Sequence, residues 1–221
     1  MRRFGFICCL IATSGLLTCA TACHQSAPVQ SSGGTSDGGE TLVMFRHGEK
    51  PLGGLGQLSC KGLNRALALP PVLIGRYGKP DFIFAPNPSV EVKDGVFNSD
   101  YSYIRPLATI EPTAIELGMP VNAQIGFNQI NDLQKELLKP EYAHAKVFVA
   151  WEHVLLRDFA RQLLQAYGQD PDQVKDWPSG DYETIYIVHI TRGGKDSRPH
   201  ATFEVQQEGL TDKLSDTCPG Q

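Results

Sequence analysis

The sequence predicts an α/β sandwich with a mostly parallel central sheet, on three observations. Short apolar runs such as TLVMFR (41–46) and KVFVAW (146–151) are continuous rather than alternating, the pattern of strands covered on both faces. These runs alternate along the chain with helical segments, as crossovers between parallel strands require. A composition of 41% hydrophobic and 20% charged residues over 221 positions suits one well-formed core, and neither an internal repeat nor a second domain is visible.

The first element, residues 1–22, reads as an export leader. Arg2 and Arg3 precede an apolar run from Phe4 to about Leu17 that is interrupted by Thr13, Ser14 and Gly15 and is too short for a spanning helix. Ala20-Thr21-Ala22 fits small-x-small cleavage and would leave Cys23 as the new N-terminus, an arrangement similar to a bacterial lipoprotein signal. In that reading acyl chains on Cys23 hold the protein at a membrane of the cell envelope; simple cleavage to a free periplasmic protein is the alternative. Residues 23–40 are rich in Ser and Gly and read as a flexible tether, leaving 41–221 as the folded domain. Four of the six cysteines lie within the first 23 residues, so apart from Cys23 only Cys60 and Cys218 remain in an exported chain. They either pair, tying the C-terminal tail to an early helix, or stay as free thiols.

Within the domain, TLVMFR is the first buried strand and ends at Arg46-His47-Gly48. Ser59 caps a helix expected to run to about Leu69, where Pro70-Pro71 interrupts it. A short strand at 81–85 ends in Pro86-Asn87-Pro88, and 87–103 reads as an irregular loop. A helix from about Ile104 to Leu117 closes at Gly118, with Pro112 unplaced. Residues 129–138 form a further helix with Ile130, Leu133, Leu137 and Leu138 on one face. KVFVAW is followed by Glu152-His153 and a helix with Val154, Leu155, Phe159, Leu163 and Tyr167 on its apolar side. Strands at 184–191 and 201–206 end the domain.

Ligands in open α/β sheets gather beyond the C-terminal ends of the strands. His47 and His153 each follow such an end, so adjacent strands would bring both imidazoles to one crevice, with Arg46 beside the first and Arg105 opening a later helix. That set suits a phosphoryl group. A guanidinium binds two oxygens at once and never deprotonates near neutrality, which fits the charge spread over the three equatorial oxygens in phosphoryl transfer. A neutral imidazole, with its tautomer fixed by a hydrogen bond, is a competent nucleophile, and His47 is the candidate.

These segments resemble the histidine phosphatase superfamily, which includes the phosphoglycerate mutase-like enzymes. FRHGEK supplies its Arg-His-Gly signature, LSCKGLNRA (58–66) looks like the helix that follows, and Arg105-Pro106-Leu107-Ala108-Thr109 is similar to its Arg-Ala-x-Gln-Thr helix start. VFVAWEH resembles the strand that delivers the second histidine. The resemblance runs in order over about 41–167. It implies a three-layer sandwich and hydrolysis of a small phosphomonoester through a phosphohistidine on His47, with Arg46, Arg105 and His153 holding the phosphoryl group and no metal or cofactor. The family's proton donor is a carboxylate before the second histidine or directly after it. Val154 follows His153, so Glu152 is the leading candidate and Glu49 the next, while Lys50 reads as solvated. The 87–104 insertion would shape the substrate mouth.

Other chemistries fare poorly. The net charge of −4, lower still without Arg2 and Arg3, disfavours nucleic acid as a partner. Cys60 and Arg65 have the wrong spacing for a cysteine phosphatase loop, and no nucleotide-binding glycine pattern is present. Gly34-Thr35-Ser36-Asp37-Gly38 matches a serine-hydrolase elbow but lacks the strand before it and the helix after it. The competing function is an envelope lipoprotein of the same fold that binds phosphorylated or anionic ligands, or another envelope protein, without turnover.

Overall fold

The computed structural model describes residues 38–193 and 198–221. The leader, Cys23, the elbow-like motif up to Asp37 and most of the tether lie outside the described residues. Glu40, read as the last tether residue, instead opens strand β1 (Glu40–Arg46): its buried carboxylate is paired with Arg192 at 2.5 Å, which fixes this end of the strand.

The remaining elements are α1 (Cys60–Tyr77), β2 (Phe82–Phe84), β3 (Glu91–Asp94), β4 (Ser99–Ser102), α2 (Arg105–Leu117), α3 (Ile130–Leu137), β5 (Lys146–Trp151), α4 (His153–Ala166), β6 (Thr184–Thr191) and β7 (His200–Gln207). The central sheet has the order β2-β5-β1-β6-β7. Strands β1, β2 and β5 are parallel neighbours, β6 runs against β1, and β7 runs against β6, so four of the five strands share a direction. Alternate side chains of β1 serve opposite layers. Leu42 and Met44 pack with Leu133 of α3 and with Leu156, Phe159 and Leu163 of α4, whereas Val43 and Phe45 pack with Leu69 and Leu73 of α1 and Ile110 of α2. The result is a three-layer α/β/α sandwich, and burial from both sides is why the inner strands read as unbroken apolar runs.

Three local expectations are corrected. Helix α1 does not stop at Pro70-Pro71 but continues to Tyr77 and ends at Gly78, whose φ of 71° few other residues adopt. Two missing N–H donors weaken the helix, yet Leu69, Pro70 and Leu73 are all buried, and that packing outweighs the lost bonds. Pro112 is likewise contained within α2. The stretch 87–103 is not wholly irregular: β3 and β4 pair as an antiparallel hairpin turning at Gly95 and Asn98, both at positive φ. On α4 the core-facing stripe is centred on Leu156, Phe159, Ala160, Leu163 and Leu164, which recur at three- and four-residue spacing, with Leu155 and Tyr167 packed at its margin and Val154 exposed.

The C-terminal segment is tied back to the sheet and α1 at two points. Cys60 and Cys218 form a disulfide across 158 residues of sequence. In the chain-entropy model, closing so long a loop contributes about 4–5 kcal/mol. Nearby, the fully buried Arg65 of α1 binds Glu49 through two bonds of 2.9 and 2.8 Å, Glu183 at 2.8 Å, Thr211 at 2.8 Å, and Glu208. Glu183 also accepts N–H bonds from Gly209, Leu210 and Thr211.

This cluster makes stability depend on pH. Burial pushes the Glu208 carboxyl up to about 8, with the charges of Glu183 and Glu49 adding to the rise and Arg65 opposing it. Burial likewise lifts Glu40 to about 7 against the pull of Arg192. The unfolded chain releases both protons near 4.5, the ordinary value for a glutamate. Their contribution to stability is therefore complete below that value and lost as pH rises through 7 to 8. Between pH 7 and pH 9 the wild type is expected to lose on the order of 1 kcal/mol in urea unfolding. Glu208→Gln, which mimics the protonated acid, should lose less; equal losses would show that Glu208 does not hold its proton.

Candidate active site

The pairing of β1 with β5 creates the site. Arg46 lies opposite Trp151 in the parallel register, and the His47 N–H donates to the Trp151 carbonyl at 3.1 Å, so His47 and His153 emerge side by side at one end of the sheet. Arg105 is delivered from the other side. The Gly56 carbonyl accepts the N–H groups of both Ile104 and Arg105, and Thr109 on the next turn of α2 accepts the Gly48 N–H at 2.9 Å. Both α2 and α4 therefore begin at the site and turn the positive ends of their dipoles toward it. Gly48 is required by packing: a Cβ there would stand 2.8 Å from the Gly62 carbonyl oxygen of α1. A Cβ on Gly62 would in turn collide with the Glu49 backbone.

His47 is 3% exposed. Its Nδ1 lies 2.7 Å from the Gly48 carbonyl oxygen, which can only accept, so Nδ1 carries the proton and Nε2 keeps the free lone pair. Burial, then the positive charges of Arg105 and Arg46, hold the imidazole pKa well below its ordinary value, so the ring is neutral at pH 7. Both features are what a nitrogen nucleophile needs.

Arg46 donates through Nη1 to the carbonyls of Ser179 and Asp181, at 2.6 and 3.0 Å, and its guanidinium stacks 3.9 Å from the Tyr182 ring centre. Arg105 donates through Nη1 to Asp94 and lies 4.8 Å from the Tyr103 ring centre. The two tyrosine rings flank His47, Tyr103 edge-on at 5.9 Å and Tyr182 tilted at 6.2 Å. Within this cluster the Nε of Arg46, the Nε of Arg105 and the Tyr103 hydroxyl are buried without a hydrogen-bond partner in the protein. Buried donors seldom stay unpaired, so these groups can serve an acceptor that enters among them.

The structure thus brings together Arg46, His47, Arg105 and His153, and it gives the expected proton donors other tasks. Glu152 is the N-cap of α4: one oxygen accepts the Leu155 N–H at 2.9 Å and the other lies 2.5 Å from His153 Nδ1, outside good hydrogen-bond geometry. Burial works to raise its pKa, but His153 and the helix N–H groups outweigh that and hold the carboxyl below its usual range. A carboxylate kept ionised, with one oxygen capping the helix and the other against His153, is placed to orient that imidazole. Both oxygens of Glu49 accept hydrogen bonds from Arg65.

Several residues of the site were not read from the sequence. Asp94, on the inner end of the hairpin, binds Arg105, Lys50 at 3.0 Å and the Gly95 N–H at 3.0 Å. Burial alone would raise its carboxyl, but these three partners bring it down to about 2. Lys50 is consequently half of an ion pair and not a freely solvated lysine. Tyr103 and Tyr182 carried no motif; their only signal was proximity in sequence to Arg105 and to a turn. The hairpin packs against the loop that follows Gly48. Its turn residues Val96 and Phe97 are exposed, as is Leu52 on the opposing loop, and the two segments approach so closely that a Cβ on Gly95 would strike the Gly53 carbonyl.

No sequence-family model and no curated protein matches this chain. Solved structures do. A protein described as the phosphohistidine phosphatase SixA from Nakamurella multipartitia superposes with a TM-score of 0.51 at 18% identity, over 77% of this chain and 96% of that one. A phosphoglycerate mutase from Plasmodium falciparum has a TM-score of 0.47 at 14% identity, over 76% and 90% of the two chains. A phosphoserine phosphatase from Entamoeba histolytica reaches 0.46 at 13% identity, over 76% and 98%. The first likeness shows the fold, the three-layer sandwich with a mostly parallel central sheet.

Proposed function

We propose that a domain with the histidine phosphatase fold, carrying these side chains at the ends of β1 and β5, hydrolyses small phosphomonoesters through a phosphohistidine on His47. One observation carries the reading: a neutral imidazole with its tautomer fixed by Gly48 stands among two buried guanidinium groups that keep unpartnered N–H donors. In this mechanism Nε2 of His47 attacks phosphorus, Arg46 and Arg105 bind the equatorial oxygens, and His153, oriented by Glu152, donates to the same group. Water then releases phosphate. Hydrolysis is favoured over mutase chemistry because an exported enzyme meets little glycolytic intermediate. The disulfide between Cys60 and Cys218 suits the oxidising compartment to which the leader would send the chain, and Cys23 is the proposed site of the lipid anchor. Accumulation of a heavier precursor under globomycin tests the anchor; unchanged mobility leaves a soluble periplasmic protein.

The test of the mechanism is chemical. Brief mixing with p-nitrophenyl phosphate, without added metal, followed by an alkaline quench should leave an acid-labile phosphoryl group on the peptide containing His47. Turnover with phosphate on another residue, or none on the protein, refutes the proposal. A non-catalytic anion-binding role draws on the contact of Arg105 with Asp94, which already supplies an internal anion; it predicts protection by inorganic phosphate against unfolding, with no turnover.

Glu152→Gln separates orientation from proton donation. Acting through His153, the substitution is expected to slow an aryl and an alkyl phosphate by the same factor, about 10- to 100-fold. A loss confined to the alkyl ester would restore Glu152 as the acid.

A further inference from the structure

Tyr103 lies between β4 and α2, two residues before Arg105, and is 1% exposed. Its ring is held on three sides: edge-on against His47, beneath the Arg105 guanidinium, and against Phe127 at 4.9 Å. Such packing would suit phenylalanine. The hydroxyl is buried beside Arg105, which can only donate, so its proton has no acceptor in the protein and costs stability unless one arrives with the substrate. It lies within electrostatic reach of Arg105, Arg46 and Glu152, three residues from three different elements that surround His47. The carboxylates around the pocket are all committed, Glu152 to α4 and His153, Glu49 to Arg65, and Asp94 to Lys50 and Arg105.

We propose that the Tyr103 hydroxyl is the proton donor to the leaving oxygen. This role rests on His47 being the nucleophile. In the first step the Nε2 lone pair forms the N–P bond while the ester P–O bond breaks, and the leaving oxygen takes the Tyr103 proton and departs as the alcohol. An alkoxide is a stronger base than a phenolate, so the transfer runs downhill, and the phenolate left behind faces Arg46 and Arg105. In the second step that phenolate takes a proton from water, whose oxygen forms the new P–O bond as the N–P bond breaks and its electron pair returns to Nε2. One ester and one water yield one alcohol and one phosphate. Burial pushes the phenol above its ordinary range, which keeps it protonated between turnovers.

The experiment compares Tyr103→Phe and Tyr182→Phe with the wild type on p-nitrophenyl phosphate and on an alkyl phosphate such as glycerol 2-phosphate. Nitrophenolate leaves without a proton, so Tyr103→Phe should lose about 10²- to 10⁴-fold on the alkyl ester and less than about tenfold on the aryl one, with labelling of His47 by the aryl ester retained. Its melting temperature should be unchanged or higher, since an unpartnered hydroxyl has been removed. Equal losses on both esters, no loss on either, or the substrate split appearing in Tyr182→Phe would each overturn the role of Tyr103 while leaving the nucleophile in place. A wild type that never carries phosphate on His47 overturns the nucleophile, and the donor with it.

Discussion

Replacing His47 with alanine is expected to reduce kcat/KM for p-nitrophenyl phosphate by about 10⁴-fold or more and to abolish phosphoryl transfer to the protein. The size follows from what the substitution removes. The two guanidinium groups and His153 remain to bind the phosphoryl group, so KM should change little, but the neutral imidazole fixed by the Gly48 carbonyl is gone. Residues acting as a unit lose most of their joint effect when the nucleophile goes, whatever the others still contribute. The protein should remain folded, and it should gain some stability below about pH 6.5, where the unfolded chain protonates an imidazole that the folded chain keeps neutral. Steady-state kinetics together with thermal unfolding at pH 5.5 and pH 7.5 check both halves. A variant with wild-type turnover would remove His47 from the chemistry.

The largest effect on stability is expected at Arg65. Its guanidinium, fully buried, is the common partner of Glu49, Glu183 and Glu208. Arg65→Ala leaves these carboxylates facing one another, Glu208 with no access to solvent, and breaking such a buried cluster from one side costs about 3–5 kcal/mol. That is a large part of the stability of an ordinary domain. Lysine is expected to rescue little, because one ammonium cannot reproduce the bidentate bond to Glu49 together with the bonds to Glu183 and Thr211. The defect should be smaller at pH 5 than at pH 8, since protonation of the carboxylates relieves their repulsion. Glu49 follows Gly48 directly, so activity should fall as well. Urea titrations at the two pH values decide the matter: a loss under about 1 kcal/mol at pH 8 would show that the cluster is held by other contacts.

The residues that delivered chemistry to the reader of the sequence share one property: each sits at a strand end or a helix start that local pattern marks. Arg46 and His47 end an apolar run, His153 follows another, and Arg105 precedes Pro106 at a helix start. Their meeting then needed only the adjacency of β1 and β5 and the approach of α2. Asp94, Tyr103 and Tyr182 carried no such mark, and the hairpin bearing Asp94 is short, polar and interrupted by Gly95. Glu152 stands out in the sequence for its place beside His153, but a residue directly before a helix has its own use for a carboxylate, the capping of N–H groups, and it is found in that use here.

Apolar runs, helix starts and the order of two arginines and two histidines are properties of neighbouring residues, and the linear chain by itself determined the sandwich and the four side chains that meet at one end of its sheet. Which acids are engaged and which hydroxyl is left unpaired was decided only in three dimensions. Arg65 finds Glu183 and Glu208 across 118 and 143 residues, and Lys50 finds Asp94 across 44. Charge pairing depends on distance and desolvation in space, and neither quantity is written in the spacing of residues along the chain.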